Sequence, residues 1–131
     1  MRFHNIADAP EHVAPFSHAV EADGWVILTG QMPTMPGLPD APLPDGIVAQ
    51  TRQVMENLTT VLNGLNLGLE DIAQCRCFLT AFDRDYAAFN ATYKSYFSPD
   101  RLPARTTVGV TALAVGALVE IDCIARMKGE D

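Results

Sequence analysis

The chain has 131 residues, 48% of them hydrophobic and 19% charged, and sixteen Asp+Glu against nine Lys+Arg leave a formal net charge of −7. This length suits one domain spanning residues 1–131, and the composition excludes a disordered chain. The negative charge disfavours a nucleic-acid surface and anionic membranes, because both require basic patches. No apolar run approaches about 20 residues, and the N-terminus has no signal-peptide core, so we expect a cytosolic location.

The first half of the chain predicts a hairpin, a long loop and a helix. Strand-like residues 16–22 and 25–29 flank Asp23-Gly24, a dipeptide typical of a two-residue hairpin turn. Five prolines in residues 32–46 predict a loop. Asp45 is a candidate cap for a helix that ends near Gly64. Its apolar residues recur every three or four positions, and its other face is polar.

The second half predicts a strand at residues 72–79, a second helix and two final strands. Asp83 is the candidate cap of this helix and Ser98-Pro99 its end. Its apolar face is aromatic and typical of a core: Tyr86, Phe89, Tyr93 and Phe97. The last strands, 105–112 and 118–127, are expected to form a hairpin around Val115. The order β-β-α-β-α-β-β predicts an α+β domain with two helices on one face of a sheet.

Arg105 and Glu120 are lone charges in these last two strands. A guanidinium is a natural clamp for a substrate carboxylate, and a nearby carboxylate can activate water. The alternative is that both charges are simply solvated at strand ends. A symmetric hairpin would leave them roughly 16 Å apart, too far for an ion pair. Unless a bulge shortens this distance, something must lie between the two charges or their neighbours must come from another chain. One face is polar on both strands, and we expect that face to meet solvent or another subunit.

Cysteine and histidine provide no obvious metal site. The three cysteines lie in predicted strands and are Cys75, Cys77 and Cys123. Buried free cysteines behave as small hydrophobes, while a redox pair or a metal site is the functional alternative. No second Cys or His pair has ligand spacing, so we expect no metal. Three histidines near the N-terminus are expected to be surface residues: His4, His12 and His18.

Six short segments, in a fixed order and spacing, carry a family resemblance. They are residues 14–20 (APFSHAV), 29–33 (TGQMP), 49–58 (AQTRQVMENL), 89–93 (FNATY), 103–105 (PAR) and 116–121 (GALVEI). Together they resemble the Rid family of reactive intermediate deaminases, also called the YjgF family, over nearly the whole chain. The resemblance implies a chorismate-mutase-like α+β subunit with a mixed sheet, assembled as a homotrimer with a ligand cleft at each subunit interface.

The resemblance also implies an activity that needs no cofactor. This activity is hydrolysis of enamines and imines, such as 2-aminoacrylate and its imine tautomer, to a 2-keto acid and ammonia. Arg105 would hold the substrate carboxylate and Glu120 would orient the attacking water. Thr29 and Gly30 would line the pocket through backbone groups, with Asn90 nearby.

Two further pocket positions depart from the best-studied branch of the family, which commonly has tyrosine in place of Phe16 and cysteine in place of Thr107. Phe16 keeps the ring without a hydroxyl, whereas Thr107 retains a polar contact. These departures indicate a different amine, such as one made in an aminoacrylate or aminomuconate catabolic route.

Two other functions compete with deamination. A non-catalytic trimer that binds or senses small carboxylates would need Arg105, whereas hydrolysis should need both Arg105 and Glu120. Older family labels of nuclease or translation inhibition fit poorly with a net charge of −7.

Overall fold

In the computed structural model of the protein, which describes residues 1–129, six strands form one sheet and two helices cover one of its faces. The strands are β1 (Arg2–His4), β2 (Ala19–Ala22), β3 (Trp25–Gln31), β4 (Ile72–Leu79), β5 (Ala104–Gly109) and β6 (Val119–Arg126); the helices are α1 (Gly46–Asn63) and α2 (Phe82–Lys94). The strand order is β1-β2-β3-β6-β4-β5, and only β4 and β5 pair in parallel. The predicted mixed α+β fold is confirmed, with the short edge strand β1 as an unpredicted addition.

The hairpin predicted from Asp23-Gly24 joins β2 to β3. Both turn residues have positive φ, 52° and 82°, and Ala22 lies opposite Trp25. This is the backbone that a tight two-residue turn requires. Further along β3, the pairing with β6 shifts register between Leu28 and Gln31, which places a bulge at Thr29–Gly30.

The polar face of α1 is not wholly solvated, because two of its amides are buried. Asn57 Nδ2 donates to the carbonyls of Met32 and Thr34, at 2.9 and 2.8 Å. Gln50 donates to the carbonyl of Pro44 and accepts from the amide of Leu118. These amides satisfy backbone groups that a proline-rich loop cannot pair by itself, so they fix this loop against the helix.

The predicted ends of the helices are right for α1 and wrong for α2. Asp45 and Gly64 flank α1, although the Asp45 side chain makes no capping hydrogen bond. In α2, Ala81 occupies the N-cap, so Asp83 lies in the first turn, where its charge favours the positive end of the helix. This helix ends at Lys94, before Ser98-Pro99. Neither helix is long and apolar enough to cross a membrane.

The hairpin predicted between the last two strands does not form. Instead, β6 inserts between β3 and β4, and β5 pairs in parallel with the outer edge of β4. The alternation along β6 explains this, because every second side chain is at most 2% exposed: Val119, Ile121, Cys123 and Ala125. Such a strand needs neighbours on both edges, whereas the more polar and exposed β5 suits a sheet edge.

The face of the sheet opposite the helices, here called the open face, carries exposed apolar side chains. Cross-strand registers place Phe3, Trp25, Ile27 and Val108 on it, and they are 63%, 44%, 55% and 42% exposed. Phe3 and Ile27 align across β2, whereas Val108 lies on the opposite edge strand. Exposed apolar side chains on neighbouring strands are typical of a protein interface.

Candidate active site

Arg105 lies on the helix-covered side of the edge strand β5. Its register partner is Cys75, whose side chain is completely buried under the helices. The guanidinium is half-buried, and its Nη2 donates a 2.8 Å hydrogen bond to Oδ1 of Asn90 on α2. Within residues 1–129, Arg105 makes no ion pair. A half-buried cation without a carboxylate is a suitable receptor for an anionic ligand.

Two aromatic rings and a hydroxyl complete the surroundings of this cation. The Arg105 Cζ lies 4.9 Å from the ring centroid of Tyr93 and 5.5 Å from that of Phe89. Thr107 follows on the same face of β5, and its Oγ1 is buried beside the Cys77 thiol, with no nitrogen or oxygen partner in the described chain. Arg105, Asn90, Thr107, Phe89 and Tyr93 are together called the arginine cluster. The aromatic stripe that the sequence predicts as part of the core therefore also contacts Arg105, the candidate carboxylate-binding residue.

Glu120 occupies the open face of β6, over the bulge in β3. A Cβ atom at Gly30 would collide with its carboxylate, so glycine allows this close approach. Burial, and secondarily the charge of Asp122, raises the pKa of Glu120 above that of a free glutamate. No hydrogen bond or ion pair to this carboxylate occurs among residues 1–129. A pKa raised in this direction favours proton exchange by this carboxyl group at a higher pH than a free glutamate allows.

The segment that follows Phe16 is joined to β3 through His18. The amide of Thr29 donates to the carbonyl of His18 at 3.0 Å, which ties the two segments together. Phe16 is half-buried, and its ring packs 5.3 Å from that of His12. Glu120, Thr29 and Gly30 are together called the glutamate cluster.

His18 is buried, at 3% exposure, so the expectation that it lies on the surface is wrong. Its Nδ1 accepts a hydrogen bond from the amide of Ile6 at 2.8 Å, and its Nε2 donates to the carbonyl of Pro10 at 2.9 Å. Because a backbone amide can only donate, Nδ1 must carry a lone pair and the ring must be neutral. Burial, with a further contribution from His12, lowers the pKa of His18.

We therefore expect the free energy of unfolding to decrease as pH falls below about 6.5, because the unfolded chain then protonates His18 more readily than the native state. His18→Gln can keep one acceptor and one donor without titrating, so it should remove this part of the pH dependence. His18→Ala should cost about 1–3 kcal/mol at neutral pH. Urea unfolding at pH 7.5 and 5.5 measures both effects. His4→Gln is the control, and an unchanged pH dependence in His18→Gln would contradict the assignment.

The two clusters do not meet within one chain. Arg105 and Glu120 are separated by two strand spacings and three residues along the strands, roughly 14 Å between Cα atoms at standard sheet dimensions. Their side chains also leave the sheet on opposite faces. The structure therefore groups Arg105, Asn90 and Thr107 in one place and Glu120, Thr29 and Gly30 in another, whereas Phe16 packs against His12.

Other polar groups near these clusters are already engaged. On the open face, Arg76 binds Asp122 through two hydrogen bonds of 3.0 and 2.7 Å. All three cysteines are free and buried, and burial raises their pKa values, that of Cys77 to about 12. Protonated, buried thiols are poor nucleophiles, which favours the structural interpretation of these residues.

Phe89 and Tyr93 are the contacts of Arg105 that the sequence interpretation missed. Their FNATY segment places two rings one helical turn apart, on either side of Asn90 in sequence.

Comparison with known proteins identifies the family of the chain. The family described as Endoribonuclease L-PSP matches residues 6–127. A RutC family protein of Synechocystis is 35% identical over 125 residues, which cover 95% of each chain. The solved structure of RidA from an Antarctic Psychrobacter has a TM-score of 0.89 at 30% identity, covering 97% of this chain and 100% of that one. The structure of E. coli TdcF with bound serine has a TM-score of 0.87 at 26% identity, covering 98% and 100%. Matches that span the fold and both clusters establish that this chain belongs to the Rid (YjgF) family.

Proposed function

We propose that the protein is a cytosolic, cofactor-independent hydrolase that converts reactive imines and enamines of the 2-aminoacrylate/2-iminopropanoate type to 2-keto acids and ammonia. The observation that carries the proposal is the half-buried guanidinium of Arg105, which has no carboxylate partner in residues 1–129 and is bordered by an amide and a hydroxyl. TdcF, a relative of this chain, has been crystallised with serine, an amino acid that carries a carboxylate.

In the proposed reaction, Arg105 binds the substrate carboxylate through two parallel N–H donors. Thr107, two residues further along the same face of β5, lines the site in this proposal, with its Oγ1 buried beside the Cys77 thiol. Fixing the carboxylate fixes the adjacent C=N carbon as well. Imine hydrolysis is intrinsically easy, so orientation of the imine and of a water molecule supplies much of the required rate enhancement.

Glu120 is the proposed acid–base group. As a carboxylate, it takes a proton from the water that attacks the C=N carbon, and the imine nitrogen is protonated. The resulting carbinolamine then collapses: Glu120 returns its proton to the amino nitrogen and takes the hydroxyl proton as the C=O bond forms, and the C–N bond breaks to release ammonia. An enamine substrate first takes a proton on carbon to become the imine. The raised pKa of Glu120 suits a group that both accepts and returns a proton.

A complete site requires a second copy of the chain in this proposal. Among residues 1–129, Arg105 has no anionic partner and Glu120 has no cationic partner, yet the two leave one sheet on opposite faces. A neighbouring copy that covers the open face brings its own arginine cluster towards the glutamate cluster of the first. The exposed Phe3, Trp25 and Ile27 provide apolar surface for such an interface. We propose the homotrimer that the family resemblance implies, with three equivalent clefts.

Mixing two inactive variants tests whether each cleft is shared. Arg105→Ala and Glu120→Gln each leave one cluster intact. If Arg105 of one copy acts with Glu120 of another, random exchange in a cyclic trimer restores both groups in about one quarter of the clefts. We therefore expect the unfolded and co-refolded mixture to recover about one quarter of wild-type activity. Each variant refolded alone is the control. No recovery, despite hybrid trimers seen by native mass spectrometry, would contradict the shared cleft.

The reaction itself is tested with imines made in situ by an amino-acid oxidase and trapped by semicarbazide. The protein should compete with the trap and lower the semicarbazone signal, and varying the parent amino acid maps the substrate range. If no imine is hydrolysed although 2-keto acids or amino acids bind, the protein is instead a small-carboxylate binder. A response restricted to one parent amine would identify a deaminase dedicated to a single catabolic route.

A further inference from the structure

We infer that Phe89, Asn90 and Tyr93 are positioning residues, which hold the guanidinium of Arg105 in a fixed plane and leave one N–H edge free for the ligand carboxylate. The inference rests on the proposed function, because it assumes that Arg105 receives a carboxylate. It adds that the affinity of this clamp depends on three side chains of α2 as well as on the arginine.

The hydrogen bond to Asn90 occupies one corner of the guanidinium. Arginine has five N–H donors, and the 2.8 Å contact to Asn90 Oδ1 uses one of those on Nη2. The remaining donors include a pair that points in one direction and matches the two oxygens of a carboxylate. An acceptor that was charged, such as aspartate, would neutralise Arg105, whereas the neutral amide orients it and leaves its charge available.

The two rings restrict the guanidinium from the side of the helix. Phe89 and Tyr93 are 0% and 4% exposed, and their centroids lie 5.7 Å apart. They are four residues apart on α2 and therefore face the same direction. Because core packing fixes both rings, they offer the cation a rigid surface at 5.5 and 4.9 Å. A guanidinium held there loses less conformational entropy when a ligand binds.

The Tyr93 ring, rather than its hydroxyl, performs this role. The hydroxyl is buried, and among residues 1–129 its polar neighbour is the Cys75 thiol rather than a nitrogen or oxygen atom. Burial also raises its pKa, so it stays protonated and takes no part in acid–base chemistry. Removing the ring and removing only the oxygen should therefore have different consequences, which separates positioning from a direct contact between the hydroxyl and the substrate.

Steady-state kinetics on a carboxylated imine tests the inference. Tyr93→Leu and Asn90→Ala should each raise KM about tenfold, equivalent to about 1.4 kcal/mol of binding, with a much smaller change in kcat. Tyr93→Phe should restore the low KM lost in Tyr93→Leu. Phe97→Leu is the matched control, because Phe97 belongs to the same aromatic stripe and its ring centroid lies 4.9 Å from that of Tyr93. If Phe97→Leu raises KM equally, the effect is general loosening of the core and the inference fails.

Nitrogen-15 NMR of the arginine side chains provides a readout that does not require turnover. The Arg105 resonances, assigned by their loss in Arg105→Lys, should show ring-current shifts and slowed rotation of the Nη groups. Both features should disappear in Tyr93→Leu and weaken in Asn90→Ala, and the exposed Arg52 is the internal reference. An Arg105 signal as mobile as that of Arg52 would overturn the inference. An ordered Arg105 in a protein without deaminase activity would instead overturn the proposed function alone.

Discussion

Replacing Arg105 by alanine is expected to lower kcat/KM for a carboxylated imine by about a thousandfold, because two charge-assisted hydrogen bonds to the ligand are lost. Its side chain lies on an edge strand and is half-buried, so the fold should survive. The semicarbazide competition assay measures the loss, with thermal unfolding and native mass as checks of structure.

Arg105→Lys keeps the charge but should recover little of this activity. An ammonium has no planar fork, so it cannot bind a carboxylate through two parallel donors or maintain the geometry seen with Asn90. Arg52→Ala, which removes an exposed arginine from α1, is the matched control for lost charge. Wild-type activity in Arg105→Ala would eliminate the carboxylate clamp, whatever the other variants do.

Replacing Glu120 by glutamine is expected to lower kcat by about 10²–10⁴-fold, the usual contribution of a positioned general base. The amide has nearly the same shape and should keep its place over Gly30, so KM should change little. A large rise in KM with an unchanged kcat would contradict this role and indicate that Glu120 only binds substrate.

The pH dependence of kcat provides an independent check on Glu120. Water activation needs the carboxylate form, so kcat should fall as pH drops through the pKa of Glu120. Because burial and Asp122 raise this pKa, the fall should begin at a higher pH than for a solvated glutamate. Asp122→Asn removes the negative charge that contributes to the raised pKa of Glu120, so the decrease in kcat should move to lower pH. The acidic limb should be absent in Glu120→Gln, and its persistence there would assign it to another group.

Local sequence signals were sufficient for much of the fold. Asp23-Gly24 predicts its turn because few residues adopt positive φ, and the strand at residues 72–79 ends where its apolar pattern ends. The candidate residues Arg105 and Glu120 could also be identified, since lone charges in apolar strands need a partner. Turns, strand ends and lone charges depend on residue type and on neighbours in sequence, so they can be identified from the sequence itself.

Strand pairing and the environment of each side chain depended on tertiary structure. The neighbour of a strand is set by which partner completes the core, so β6 lies between β3 and β4 although β5 precedes it in sequence. The same long-range packing buries His18 and places Tyr93 against Arg105. Sequence alone therefore determined the residue types, the turns and most elements of this protein. Only the tertiary structure decided that its two charged clusters occupy opposite faces of the sheet, because burial and pairing are collective properties of the whole core.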